Sequence, residues 1–228
     1  MLIVDYIQTG ILDKMDTKLT VLEAGPVING LQIVRFSCNR WLKLYDLAIV
    51  NGGEVAVAEY LGSFVRFDVG DSAGITLESD VRLKVPILLN GTLSNTKEEW
   101  NRFELDERNK LPFIWLVSPT KIETEDQNSP FVTAQLDLWF VHWSDWSKLN
   151  KDRQDETLRP LYSFIDAFFK AIKKNKLSFI KYSNLVMNDF PKFGTQDKNG
   201  IYKLIFDSTL SAVSSNFRLE IRKKEKCC

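Results

Sequence analysis

Residues 158–172 place the tightest limit on what this chain can fold into. Leu158, Leu161, Tyr162, Ile165, Phe168, Phe169 and Ile172 recur at i, i+3, i+4 and i+7, a stripe along one side of an amphipathic helix. A stripe this apolar needs a surface to lie on. The segments before and after it read as strands, so the spacing predicts a helix packed against a sheet. Asp155 and Glu156 precede the stripe and Lys173, Lys174 and Lys176 close it, matching the sign of the helix dipole at each end. Pro160 falls early enough to be accommodated in the first turn.

The strands around that helix are legible too. Phe113 to Val117 is a continuous apolar run between Pro112 and Pro119, as expected of a strand covered on both faces. Glu123 to Pro130 is an acidic, polar loop, after which Val132 to Trp143 alternates polar and apolar side chains until its aromatic end. These two strands are expected to pair antiparallel across the loop. Downstream, Leu177 to Asn184 reads as a short strand and Pro191 to Gly200 as a loop. Ile201 to Phe206 and Ser214 to Ile221 are expected to complete the sheet, and the polar tail from Arg222 to Cys228 to leave it.

The first half is organised differently. Ile3, Tyr6, Ile7 and Ile11 give residues 2–15 helical spacing, weakened by Gly10. From Thr17 to Leu93 the pattern becomes strand-like, with Gly25-Pro26, Asn29-Gly30, Asn51-Gly52-Gly53 and Gly70 to Gly74 as turns. The predicted strands include Leu31 to Phe36, Trp41 to Tyr45, Val55 to Tyr60, Phe64 to Phe67, Ile75 to Leu77 and Val81 to Val85. This region is expected to be a small antiparallel sheet or barrel of about five or six strands. Residues 94–110 are mostly polar and mark the organisational boundary. Trp100 and Phe103 within them favour a helical turn or ordered loop over a free linker.

Composition excludes several classes. With 228 residues, 44% of them hydrophobic, the chain can bury a real core in one domain or two. Thirty basic side chains balance thirty acidic ones, so the basic excess of a nucleic-acid binder is missing. Residues 1–110 carry net −4 and residues 111–228 net +4, a dipole able to orient subunits that stack head to tail. Cys38, Cys227 and Cys228 make no disulfide framework, and the adjacent pair lacks the spacing of a shared metal site. Reduced thiols in a cytoplasmic product are expected. No run of 18 apolar residues and no basic start ahead of an apolar core occurs, so neither a membrane span nor a secretory signal is expected.

No catalytic, cofactor-binding or metal-binding constellation stands out. His142 is the single histidine, and Ser144 and Asp145 follow it. Neighbours along a strand point to opposite faces, so these letters cannot form a triad relay, and a satisfied strand-end histidine is expected. Gly52-Gly53 lacks a following Gly-Lys-Ser/Thr, and Gly70 to Gly74 precedes a strand, not a helix, which excludes a phosphate loop. Glu123, Glu125 and Asp126 lack the spacing of a calcium loop and read as a solvated tip, and Glu98 and Glu99 as exposed charge. Trp115, Trp139, Trp143 and Trp146 have no basic stripe woven between them, which favours core or subunit-interface packing over base stacking.

The succession of Leu111-Pro-Phe-Ile-Trp-Leu-Val-Ser-Pro119, an acidic loop, Ala134-Gln-Leu-Asp-Leu-Trp-Phe140, a charged stretch, Leu158-Arg-Pro-Leu-Tyr-Ser-Phe-Ile-Asp166 and Phe217-Arg-Leu-Glu-Ile221 resembles the tail-completion and tail-terminator proteins of tailed bacteriophages. In particular it is similar to the neck and tail ring proteins of phages infecting Bacteroidetes, the crAss-like group among them. The resemblance covers residues 111–228 and the initial helix. It implies an α+β fold in which a curved antiparallel sheet with packed helices forms the core, residues 1–16 supply its first helix, and residues 17–93 form an inserted all-β domain joined through 94–110. It also implies a homo-oligomeric ring of six or twelve subunits in the neck or tail of the virion, made in the host cytoplasm. Such a ring contacts neighbouring neck, tail or portal proteins and lets genomic DNA through its lumen without sequence-specific binding. There is no membrane partner, no cofactor and no catalytic residue to carry over. The charged stretches 121–130, 144–157 and 190–200, with the tail from Arg222, are expected to reach the neighbours. Two other classes stand beside this one. The hairpins and aromatics of residues 19–93 suit a carbohydrate- or receptor-binding β-module of a phage tail. An enzyme would need a deep pocket holding His142 beside a carboxylate from another strand.

Overall fold

The structure is a computed structural model that describes residues 3–37, 40–61, 63–70, 72–102, 110–118, 120–123, 129–175, 178–196, 198, 202–204, 206 and 208–222. The fold is mixed α+β, with few helices and antiparallel sheet curled into a half-barrel.

The chain opens with α1 (Ile3–Gly10), whose Tyr6 and Ile7 are buried, and a 3-10 turn over Leu12–Lys14. Gly10 ends the helix where it meets another. A Cβ there would lie 3.3 Å from Asn175 Nδ2, and that amide donates to the Gly10 carbonyl at 2.8 Å.

Seven strands then form the first sheet: β1 (Lys18–Leu19), β2 (Val21–Ile28), β3 (Leu31–Phe36), β4 (Leu47–Val50), β5 (Gly53–Leu61), β6 (Phe64–Asp68) and β7 (Val81–Arg82), in the order β1-β7-β4-β5-β6-β3-β2. Two of its hairpins turn where the sequence marks them. Asn29 and Gly30 hold φ at 52° and 76°, and Asn51 and Gly52 at 50° and 88°, the left-handed pair that a two-residue turn between twisted strands requires.

Three expectations for this region do not hold. Gly25-Pro26 is no turn: β2 runs through it, with a register shift between Ala24 and Val27 that spares Pro26 a ladder hydrogen bond. Trp41 to Tyr45 is not a strand. Arg40–Leu44 is a 3-10 segment that packs Leu42 and Leu44 inward, and its carbonyl at Leu42 accepts from the Tyr60 hydroxyl at 2.7 Å. Ile75 to Leu77 is irregular, because the Gln32 side chain takes the place of a strand partner. Its Nε2 donates to the Gly25 and Ile75 carbonyls, both at 2.8 Å, and its Oε1 accepts from the Ile75 N–H at 2.6 Å.

The second sheet contains β8 (Ile87–Gly91), β9 (Phe113–Val117), β10 (Lys121–Glu123), β11 (Phe131–Trp143), β12 (Ser178–Phe190) and β15 (Leu210–Arg222). Its order is β12-β15-β11-β9-β8, with β10 on β11. β9 and β11 pair antiparallel, Leu138 opposite Leu116, as the sequence predicts. β8 falls within the 17–93 stretch, yet it is hydrogen-bonded parallel to β9 in this sheet. The short strand expected at 177–184 is one of 13 residues, because its register shifts between Lys181 and Val186 and pairing with β15 then resumes. Residues expected to be a loop and a further sheet strand instead pair with each other: β13 (Gly194–Gln196) and β14 (Tyr202–Leu204) form a separate two-stranded ribbon.

The helices follow the apolar stripes. Between β8 and β9, the polar boundary segment forms α2 (Leu93–Arg102), anchored by Trp100; Phe103 lies outside the described residues. A short α3 (Asn150–Arg153) and a π-helical turn, Gln154–Leu158, lead into α4 (Arg159–Lys174), so most of the charged stretch 144–157 is helical. α4 buries Leu161, Phe164, Ile165, Phe168, Phe169 and Ile172, and Pro160 sits in its first turn. Tyr162, counted in the stripe, points out and donates to Asp189.

Two apolar clusters fill the interior. The larger joins α1, α4, the inner face of the first sheet (Val34, Phe36, Val65, Phe67) and one face of the second (Ile114, Leu116, Leu138, Phe140, Phe217). The smaller lies on the opposite face of the second sheet, where Trp100 of α2 and Phe193 and Phe206 beside the ribbon cover Phe113, Trp115 and Val141. β9 is therefore buried on both sides, which accounts for its unbroken apolar run.

Candidate functional site

His142 sits near the end of β11, opposite Ser211. The imidazole is half-buried with Nδ1 enclosed, and burial pushes its pKa down to about 3, so the ring is neutral near pH 7. Among the described residues Nδ1 has no hydrogen-bond partner, which departs from the satisfied histidine expected there. Ser144 is buried, and its backbone N–H donates to Thr209 at 3.0 Å. Asp145 accepts from the Ser147 hydroxyl at 2.6 Å and from its N–H at 2.9 Å, and these bonds hold the carboxyl below the usual range. Asp145 is therefore committed to Ser147, and the three triad letters are not joined into a relay.

The other sequence candidates disperse as well. Glu123 belongs to β10 and pairs with Lys121 at 2.5 Å, while Glu125 and Asp126 lie outside the described residues. Among the described residues, no group of three or more His, Cys, Asp or Glu is placed to hold a metal. Cys38, Cys227 and Cys228 are likewise outside the described residues. No described helix is long and apolar enough to cross a membrane.

Of the tryptophans, Trp100 and Trp115 are buried, and Trp139 packs on Phe190 and Phe193 with ring centroids 4.6 and 5.0 Å away. Trp146 is half-buried, its indole N–H donating to the Leu210 carbonyl at 2.9 Å. Trp143 is 51% exposed at the end of β11.

What stands out is a surface that strand-by-strand reading leaves unassigned. Ile28 pairs with Leu31, Leu31 and Ile33 alternate along β3, Arg35 lies opposite Phe64, and Phe64 opposite Leu61. Directly paired residues and i,i+2 neighbours share a face, so these side chains line the outer side of the first sheet. Ile28 is 63% exposed and Ile33 41%. Ion pairs rim them: Arg35 with Glu23, and Arg66 with Glu59 at 2.6 Å, while the Arg35 guanidinium lies 5.8 Å from the Phe64 ring centre. An apolar centre inside a charged rim is the anatomy of a protein interface. The signal is present in Leu31-Gln-Ile-Val-Arg-Phe36, where both parities are apolar although only Val34 and Phe36 reach the core.

No protein-family model matches the chain, and no curated protein sequence matches it.

Proposed function

We propose that the protein is a structural subunit of an oligomeric ring in the neck or tail of a tailed bacteriophage, joining head or portal to tail around a channel for the genome. In this reading residues 111–228 with α1 form a tail-terminator-like core, and the first sheet is an addition that meets the neighbouring subunit. The role is one of assembly and not of catalysis.

The observation that carries the proposal is the rimmed apolar face at Ile28, Leu31 and Ile33. Exposed apolar side chains grouped on one face of a folded chain suit a partner that covers them. A closed ring needs two different complementary faces on each subunit, and this face is proposed as one of them. The opposite net charges of the two halves, −4 and +4, favour head-to-tail contact.

The test is the solution mass of the intact chain beside a double variant, Ile28→Asp with Ile33→Asp. Both side chains face solvent, so the subunit is expected to stay folded. The expected result is an oligomer in the unaltered protein and a shift to the 26.3 kDa monomer in the variant. An oligomer unchanged by both substitutions would remove this face from the interface.

A further inference from the structure

The turn that follows β11 presents two large apolar side chains to solvent. Trp143 is 51% exposed and Leu149 75%. The backbone between them is pinned at several points: the Ser144 N–H donates to the Thr209 carbonyl at 3.0 Å, the Lys148 N–H to Asp145 at 3.3 Å, and the Trp146 indole N–H to Leu210 at 2.9 Å. Arg153, itself 4% exposed, donates from Nη1 to the Trp146 carbonyl at 3.1 Å and to that of Lys148. A buried guanidinium committed to two loop carbonyls makes the turn an ordered platform.

Parity along β11 fixes the side on which Trp143 lies. Val141 belongs to the smaller cluster, and pairing with β15 runs without a shift from Phe131 to Trp143, so Trp143 faces as Val141 does, away from the core that the two sheets share. Val34 and Phe36 enter that shared core from the first sheet, so Ile28, Leu31 and Ile33 face away from it as well. The two apolar surfaces therefore lie on opposite sides of the core, and one subunit cannot bring its own pair together. Charge favours their meeting between copies. Strands β2, β3, β5 and β6 carry Glu23, Glu54, Glu59 and Asp68 against Arg35 and Arg66, net −2, while at the far edge of that sheet Lys18 and Arg82 share Asp80. Residues 143–159 balance four acids with four bases, and Lys192, 5.8 Å from the Trp146 ring centre, leaves that side net +1.

Resting on the ring reading above, we propose that the turn at 143–149 is the second face of the subunit, and that its Trp143 and Leu149 dock onto Ile28, Leu31 and Ile33 of a second copy of this chain. A rigid indole set in an apolar centre is the usual anchor of such a contact, and ion pairs stand at both rims, Lys148 with Glu156 and Arg66 with Glu59. The two docked surfaces differ. The contact is therefore heterologous, and each subunit keeps one unused face for the next.

Two double variants of the full chain separate this pairing from the ring itself. Trp143→Asp with Leu149→Asp alters the turn, and Ile28→Asp with Ile33→Asp alters the sheet face, at exposed positions in both cases. Light scattering is expected to show an oligomer in the unaltered chain and a 26.3 kDa monomer in each variant. Mixed in equal amounts, the two variants are expected to form a heterodimer of twice that mass and nothing larger, since one intact turn and one intact sheet face remain between them. Circular dichroism checks that each is folded. The milder Trp143→Ala with Leu149→Ala, expected to weaken self-association about tenfold, keeps the test sound if aspartate disturbs the turn. An oligomer that survives both turn variants while the sheet variant is monomeric would overturn the pairing and leave the ring in place. Two monomeric variants that fail to combine would overturn it too, and an unaltered chain that stays monomeric at every concentration would remove both.

Discussion

Gln32 does with one side chain what a paired strand does with a backbone ladder. It is buried, and its amide meets the carbonyls of Gly25 and Ile75 and the N–H of Ile75. Gly74 makes the approach feasible: at φ 78° it carries no Cβ, and one placed there would lie 2.7 Å from Val27 Cγ2 and 3.0 Å from Gln32 Oε1. Gln32→Leu keeps the bulk and strands those backbone groups, so chemical denaturation is expected to show a loss of about 2 to 4 kcal/mol. A loss under about 0.5 kcal/mol would mean water replaces the amide. His142 gives a pH-dependent counterpart. Its folded pKa lies below the unfolded value of about 6.5, so the unfolded chain binds the proton first and stability falls as pH drops from about 6.5 toward 3. One proton contributes at most about 1.4 kcal/mol per pH unit. With a single histidine in the chain, the stability difference between wild type and His142→Gln should change across pH 7 to 5. A constant difference would contradict the burial assigned to this ring.

At the scale of elements, helical stripes and tight turns were the most legible features. The stripe at 158–172 became α4, and Asn29-Gly30 and Asn51-Gly52 became hairpin turns, because spacing and φ requirement are local properties. What sequence missed depends on distant partners. Trp41 to Tyr45 alternates like a strand, but its backbone is held by Tyr60 from β5 and packs on α4 as a 3-10 segment. Pairing of β12 resumes after its shift because β15, 13 residues long, offers a ladder along its whole length. The row from Gln135 to Trp139 along β11 could be seen as polar alternation, whereas its facing residues Asn216 and Arg218 come from a strand some 80 positions away and needed the register. Two residues of α4 separate core from surface. Phe168 is fully buried against Phe140, ring centres 5.4 Å apart, and Phe168→Ala is expected to cost about 3 to 5 kcal/mol. Tyr162→Phe removes an exposed bond to Asp189, and thermal melts should show a change below about 1 kcal/mol. Equal effects would place the helix in the wrong rotation.

For the molecule as a whole, the division at 94–110 reads clearly in composition and less clearly in three dimensions. The first sheet's inner face and α4 share one apolar cluster, and β8 crosses from the first stretch into the second sheet. A first sheet packed this tightly against α4 holds its outer face rigidly, which suits the subunit contact proposed for a closed ring. The apolar centre at Ile28, Leu31 and Ile33 and the opposite charges of the two halves are the features on which assembly is proposed to rest. Electron microscopy of the purified chain at high concentration tests this most directly. Closed rings of six or twelve subunits are expected, with contacts that include the outer face of the first sheet. Particles that remain 26.3 kDa monomers, both alone and when mixed with portal or tail assemblies, would contradict it.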